Sequence, residues 1–436
     1  MTVQEGLSAA VRALRTRVWS KSTVPLAKPA ENDRSRAAPA RKGEPYGESQ
    51  LRRLAVCATL LLLTTASSSS VRPANYDAFG VVALTWLMAQ GKTENVFISP
   101  TSIGIALAMA ADGAAGPTRT AIVQGLRSDD SELALENAAL IQALGTQPDA
   151  TIGLADAIWL RQDLPPRLAY VNLLQSNYHA QVAALRFGDP SAAAAINAWT
   201  KAHTLGLIDK VVQKTSHLDF AYLTNALAFK GTWSSRFTKN RTHPAPFTDA
   251  SGERHNVSMM SQTASFMTFD APTYRALRLP YGKGGGCAAY VILPATTLEA
   301  AVQQLSGANF ERLAHGLALG QVLVALPRFT AKYQASLKPV LKALGMGIAF
   351  DGADFSPMRA PPPRLFIADV NHASYVRVDE AGTTAAAATS VEVGFRGPGP
   401  LPPKSFIVDR PFVLGIRDEG AGTWLFIGVV RTLPPS

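Results

Sequence analysis

Cysteine is nearly missing from this chain, with two in 436 residues. That excludes a disulfide-stapled scaffold, and no paired C-x-x-C is present to hold zinc. Charged residues are sparse as well, at 17% against 47% hydrophobic, which excludes a disordered chain. At this length a core forms without staples, and length alone suggests two or three domains. The seven histidines (179, 203, 217, 243, 255, 315 and 372) never fall at i, i+4. There is no H-E-x-x-H, Walker loop or G-x-S-x-G elbow. The chain therefore reads as a non-enzyme with no metal site and no cofactor. The glycine-rich stretch 282–286 follows Pro280 and Tyr281 and precedes a strand-like run, so it reads as a turn rather than a phosphate cradle. Cys287, next to it, reads as a small packed strand residue rather than a nucleophile.

The formal charge of +10 invites an anionic partner, but its placement argues otherwise. Residues 1–66 hold 11 of the 42 Lys+Arg and 5 of the 32 Asp+Glu, so most of the excess sits in a basic leader. The body has no basic run with interleaved aromatics, and nucleic acid is not an expected partner.

The leader divides into a polar stretch, 1–50, and a signal-like stretch, 51–74. Arg52 and Arg53 precede an apolar run at 54–63, followed by Thr64, Thr65, Ala66 and four serines. A basic flank, a short apolar stretch and a small-residue exit are the parts of a secretory signal. The run is too short for a stable membrane span. About 50 residues precede it, which fits an overextended start, an unusual leader, or a disordered tail with a fortuitous apolar run. The expectation for segment 52–66 is export, to a secreted or periplasmic location. If Ala66 ends the leader, Cys287 alone remains.

From residue 75 on, the chain reads as one α+β domain, 75–436. Apolar stripes predict helices over 76–88, 102–111, 132–144 and 191–203, with Ser99 capping a helix that begins at Pro100. Strand-like runs occupy 287–293, 321–326, 374–378, 405–417 and 423–430. No linker or 20–50-residue repeat divides this region.

One segment stands apart, 380–403. It is far longer than an ordinary connection, and such loops are either functional or disordered. Residues 383–390 are all Thr, Ala or Ser, and 397–403 carry four prolines. Small side chains suit a strand that must slip between existing strands, and Gly382 supplies freedom for a hinge. An Ala-rich flexible loop or short helix fits the composition equally well.

The motifs of the body occur in the order of a known family. They are Asn-Val-Phe-Ile-Ser-Pro at 95–100 with Ser102, and Asn-Ala-Leu-Ala-Phe-Lys-Gly-Thr-Trp at 225–233 with Phe237. Met-Met at 259–260, Leu-Pro at 293–294, Pro-Arg-Phe at 327–329 and Leu-Gly-Met at 344–346 follow. Ala-Asp-Phe-Ser at 353–356, Asp-Arg-Pro-Phe at 409–412 and Phe-Ile-Gly at 426–428 complete the series. Over about 360 residues the chain resembles a serpin. The resemblance implies about nine helices, three β-sheets and an exposed reactive-centre loop held in a metastable state. In inhibitory members a protease attacks the loop, which then inserts into the large sheet and traps the acyl-enzyme.

The resemblance assigns roles to residues. Inhibitory members share Glu-x-Gly-Thr-x-Ala-Ala-Ala-Ala, and 380–388 read Glu-Ala-Gly-Thr-Thr-Ala-Ala-Ala-Ala. The hinge residues are thus Glu380, Gly382, Thr383, Ala385, Ala386, Ala387 and Ala388. Family spacing puts the scissile bond at Arg396–Gly397, implying a trypsin-like, Arg-specific serine protease as partner. One residue earlier, Phe395 would suit chymotrypsin-like or some cysteine proteases. Ser99, Ser102, Asn225 and His372 resemble the polar cluster where the large sheet parts. Trp233 and Arg328, with Glu380, resemble the group where insertion begins, and a buried Arg–Glu pair is expected there. The implied state is a monomer able to polymerise through its loop. Non-inhibitory members, serving as binding or storage proteins, remain the alternative. Segment 131–146, where cofactor-responsive members carry a basic helix, has no Lys or Arg, so glycosaminoglycan activation is not expected there.

Overall fold

A computed structural model describes residues 71–91, 93–128, 132–146, 150–359, 365–383 and 402–436. The chain separates into units Met1–Ser69 and Ser70–Ser436, and the second holds all of these residues. Nine α-helices lie among the described residues: α1 (Asp77–Gln90), α2 (Pro100–Asp112), α3 (Gly116–Leu126), α4 (Leu133–Gly145), α5 (Leu168–Leu173), α6 (Pro190–His203), α7 (Leu298–Val302), α8 (Gly307–Gly316) and α9 (Lys338–Leu341). No described helix is long and apolar enough to cross a membrane.

Helix α2 begins where sequence chemistry places it. The Ser99 hydroxyl accepts from the Ser102 amide, and Pro100 occupies the first turn, where no amide proton is needed. Its small side chains leave every residue but Asp112 buried, so it forms a central pillar.

The large sheet has the order β10 (Phe329–Ser336), β11 (Ile367–Val378), β12 (Gly382–Thr383), β4 (Ala221–Thr232), β2 (Ala150–Arg161), β3 (Gln181–Leu185). Strands β4 and β11 are also paired directly and in parallel, from Ile367↔Ala221 to Tyr375↔Ala228. Alternate side chains of this sheet enter two cores. Ile158, Leu227, Phe229 and Val376 face the main core. Ala155, Trp159, Ala226 and Ala373 face a smaller core with Ile196 of α6.

The remaining strands join in one nine-stranded network of β1 (Val96–Ile98), β5 (Thr242–Thr248), β6 (Arg254–Ala271), β7 (Tyr274–Pro280), β8 (Cys287–Pro294), β9 (Ala318–Pro327), β13 (Lys404–Ile407), β14 (Phe412–Asp418) and β15 (Thr423–Val430). The 18-residue β6 serves two sheets at once. Residues 254–260 pair with β5, and 267–271 with β7. The three sheets are therefore present with two of them continuous. One expected strand divides: 405–417 is β13 and β14, in different parts of the network, because Pro411 lacks the ladder donor. The 282–286 stretch is the turn between β7 and β8, and Cys287 is buried in β8.

Candidate functional site

The two-residue strand β12 lies where β4 and β11 diverge. It is antiparallel to both, with Thr383 opposite Val378 of β11 and Gly231 of β4, and Gly382 opposite Thr232. Below it the same two strands close on each other. The sheet is thus splayed at one end, with the first residues after β11 already seated in the gap.

Gly382 fits this place for two reasons. Its φ of +153° favours glycine, and a Cβ there would lie 2.1 Å from the Gly231 carbonyl oxygen. The reversal before it is fixed by Asp379, whose Oδ1 accepts from the amides of Ala381 and Gly382 at 3.0 and 3.2 Å. Trp233 donates through Nε1 to the Asp379 carbonyl at 2.9 Å and stacks on Tyr281, ring centroids 4.5 Å apart. Tyr281 in turn pairs its hydroxyl with that of Thr383 at 2.7 Å. Burial drives the Tyr281 hydroxyl pKa well up, so it stays protonated as a hydrogen-bonding group.

Glu380 is buried, and Thr242 donates its hydroxyl to Oε1 at 2.8 Å. Arg328 comes only to 3.7 Å with its side chain half exposed. The expected buried Arg–Glu pair is therefore a buried carboxylate held chiefly by a hydroxyl, with a half-exposed guanidinium outside it. A long cationic side chain at the protein surface keeps its head in water, so this attraction is screened.

About seven residues further down β4, roughly 23 Å at strand rise, lies the second group. Asn225 of β4 and His372 of β11 are register partners across the parallel seam. The Ser99 amide donates to His372 Nε2 at 3.3 Å, so Nδ1 carries the proton and donates to Asn225 Oδ1 at 2.8 Å. Burial without an acidic partner lowers the His372 pKa to about 3, keeping the ring neutral. The Asn225 amide donates to Ser102 Oγ and, at 2.8 Å, to Asp156 Oδ1 of β2.

The structure thus brings Ser99, Ser102, Asn225 and His372 into one buried cluster, and Trp233, Arg328, Glu380, Gly382 and Thr383 into another. Ala385, Ala386, Ala387, Ala388, Phe395, Arg396, Gly397 and the signal-like segment 52–66 lie outside the described residues.

Sequence reasoning missed Thr242, Tyr281, Asp379 and Asp156. For Asp156 a signal was present, since it is the sole carboxylate in β2 and sits between alanines in its apolar stretch 152–160. Its burial pushes the carboxyl pKa up to about 8, opposed only by the neutral Asn225 and Ser102 side chains.

The site is thus a sheet splayed at one end, with a short strand seated in the gap and a polar cluster across the closed seam. The family model described as Serpin (serine protease inhibitor) matches residues 74–433, and the chain belongs to the serpin family. The family is one of protease inhibitors rather than catalysts. An uncharacterised serpin-like protein of Thermococcus kodakarensis is 35% identical over 350 residues, 78% of this chain and 80% of that one. The crystal structure of the thermophilic serpin tengpin in its native state superposes with a TM-score of 0.75 at 30% identity, covering 82% of this chain and 94% of the other. Human thyroxine-binding globulin, complexed with thyroxine, shares the fold with a TM-score of 0.74 at 23% identity, over 83% of this chain and 99% of its own.

Proposed function

We propose that this serpin is a suicide-substrate inhibitor of trypsin-like serine proteases that cut after Arg396. The observation that carries the reading is the register of β12. Continued residue by residue from Thr383↔Gly231, it runs residues 384–393 down the seam until Val393 meets Ala221, the first residue of β4. Side chains of an antiparallel pair share a face, and Thr383 faces the core beside Tyr281. Ala385, Ala387, Thr389, Val391 and Val393 would then turn toward the main core, and Thr384, Ala386, Ala388, Ser390 and Glu392 toward the opposite face, where the smaller core lies. The one charge of the inserted stretch would fall on that opposite face, and no large side chain would meet the main core. Continued along both β4 and β11, the registers would bring Thr389 between Asn225 and His372, where its hydroxyl could serve the two groups that insertion separates.

The chemistry before insertion is the protease's own. Its serine oxygen attacks the Arg396 carbonyl, the bond to Gly397 breaks, and the proton passes to the Gly397 amine. The Arg396 ester is carried down the seam before water cleaves it. The supporting experiment mixes the protein with trypsin. An SDS-resistant adduct is expected, and Arg396→Ala removes it. Cleavage with no adduct in the parent rejects the inhibitory reading, and an adduct that survives Arg396→Ala but not Phe395→Ala moves the scissile bond.

The rival reading, a binding or storage serpin, rests on the shared fold with thyroxine-binding globulin. The unspoiled hinge at 380–388 favours inhibition over it. Segment 52–66 supports export to a secreted or periplasmic site, with N-terminal sequencing of exported protein as its check. Glu380→Lys places a cation in a buried position and loses the Thr242 bond, so it should open the splayed end and promote polymerisation on warming. Size-exclusion profiles identical to the parent's after heating would contradict this.

A further inference from the structure

Asp156 has no part in the hinge or the reactive bond, yet it is a wholly buried carboxyl at the place where the sheet must part. Its Oδ1 accepts from Asn225, while its Oδ2 has no hydrogen-bond partner among the described residues. Asn225 is the residue that spans the β4–β11 seam to His372. The charge of Asp156 is therefore one side chain away from the contact that insertion breaks.

Among the described residues no cation compensates the carboxyl. From α2 the carboxyl meets Ser102, from β4 Asn225, and beyond Asn225 on β11 the neutral His372. Tyr76, just before α1, feels the charge of Asp156 but is itself fully buried, and bonds Asn137. A protonated Asp156 costs little in such a place. An ionised one lacks both water and a counter-charge.

We propose that Asp156 is a proton-operated latch on the sheet: protonated, it leaves the β4–β11 seam closed, and ionised, it favours the parted state that admits water and a new strand. Acid with a raised pKa is the linkage partner this requires, and the carboxyl sits at about 8 when closed against its ordinary value near 3.8 when wetted. Between those limits each pH unit shifts the balance toward parting by up to about tenfold, and above pH 8 the effect levels off. Conformational conversion is thereby slow in mildly acidic surroundings and quickened in mildly alkaline ones. Asp156 acts through Asn225 and is a positioning residue. The latch rests on the reading that the sheet parts between β4 and β11, not on the identity of the protease.

The test uses the intact protein and a labelled peptide with the sequence of residues 383–394, taken up into the seam and followed on native gels. From about pH 6.5 to about pH 8 the uptake rate of the parent should rise about tenfold or more. Asp156→Asn, which keeps the shape and cannot ionise, should take up peptide at a rate independent of pH. Asp156→Ser is the second variant should the first fail to fold, with the same expected flat profile. A parent profile that is flat, a rise of equal size in the variants, or no uptake at any pH overturns the latch. A parent with the expected profile that forms no adduct with trypsin keeps the latch and removes the inhibitory reading instead.

Discussion

At the residue scale, two buried titratable side chains flank Asn225 and pull stability in opposite directions with pH. The His372 ring, near 3 when folded and about 6.5 when unfolded, stays neutral in the fold. Its stability contribution is present above the unfolded value and is lost as pH falls toward 3. Asp156, near 8 when folded and 3.8 when unfolded, contributes stability below the unfolded value that is lost as pH rises through 8. Between about 4 and 6.5 the two slopes cancel, and from about 6.5 to 8 only the Asp156 decline remains, at most ~1.4 kcal/mol per pH unit. Urea unfolding should show this alkaline decline in the parent and lose it in Asp156→Asn. His372→Gln should weaken the acid limb alone. Gly382→Ala belongs to the same scale, because it adds a Cβ onto the Gly231 carbonyl at a φ few L-residues adopt. A loss of about 1–3 kcal/mol in denaturant is expected.

At the element scale, the inserting strand is defined by parity, which gives a paired prediction. Ala387→Arg aims a guanidinium at the main core, and Ala386→Arg aims one at the opposite face, beside the half-buried Tyr375. Burying an unpaired charge costs several kcal/mol. The inward variant should therefore be cleaved as a plain substrate, with adduct yield on SDS gels down about tenfold or more, while the outward variant keeps most of its adduct. Equal losses at both positions would falsify the register. Much of this scale was legible in the sequence. The four apolar stripes became α1, α2, α4 and α6 within a few residues, because helical periodicity is local chemistry, reinforced at α2 and α6 by the Ser99 and Asp189 caps. Gly382 was legible as a glycine at a turn, and its φ and the Gly231 carbonyl against it show why a side chain does not fit there, while the small residues after it lie outside the described residues. What was hidden was non-local. The 18-residue β6 passes between two sheets with no break in composition, and only its partners reveal the change. That Arg328 would stand half outside the buried Glu380, with Thr242 holding the carboxylate instead, depends on strands that meet only in the fold.

At the scale of the whole molecule, the proposed inhibition makes the sheet's closed seam a state that a better one can replace. Closing β4 directly on β11 satisfies one ladder between them, with eight register pairs. A strand from 384 to 393 would break that ladder and form two, one on each side. The net gain is about one ladder of roughly ten hydrogen bonds, and at ~1 kcal/mol each it is on the order of 10 kcal/mol, similar to the stability of an ordinary domain. A domain of this length shifts its melting temperature by roughly 1.3 °C per kcal/mol. Protein cut within residues 394–397 should therefore melt on the order of 10 °C above the intact form, measured by scanning calorimetry. In the uncut chain residues 384–403 stay joined to β12 at one end and β13 at the other, which opposes full insertion. A serpin whose cleaved and intact forms melt together has no second ladder to gain. Such a result would assign this fold to carriage rather than capture, whatever the hinge sequence suggests.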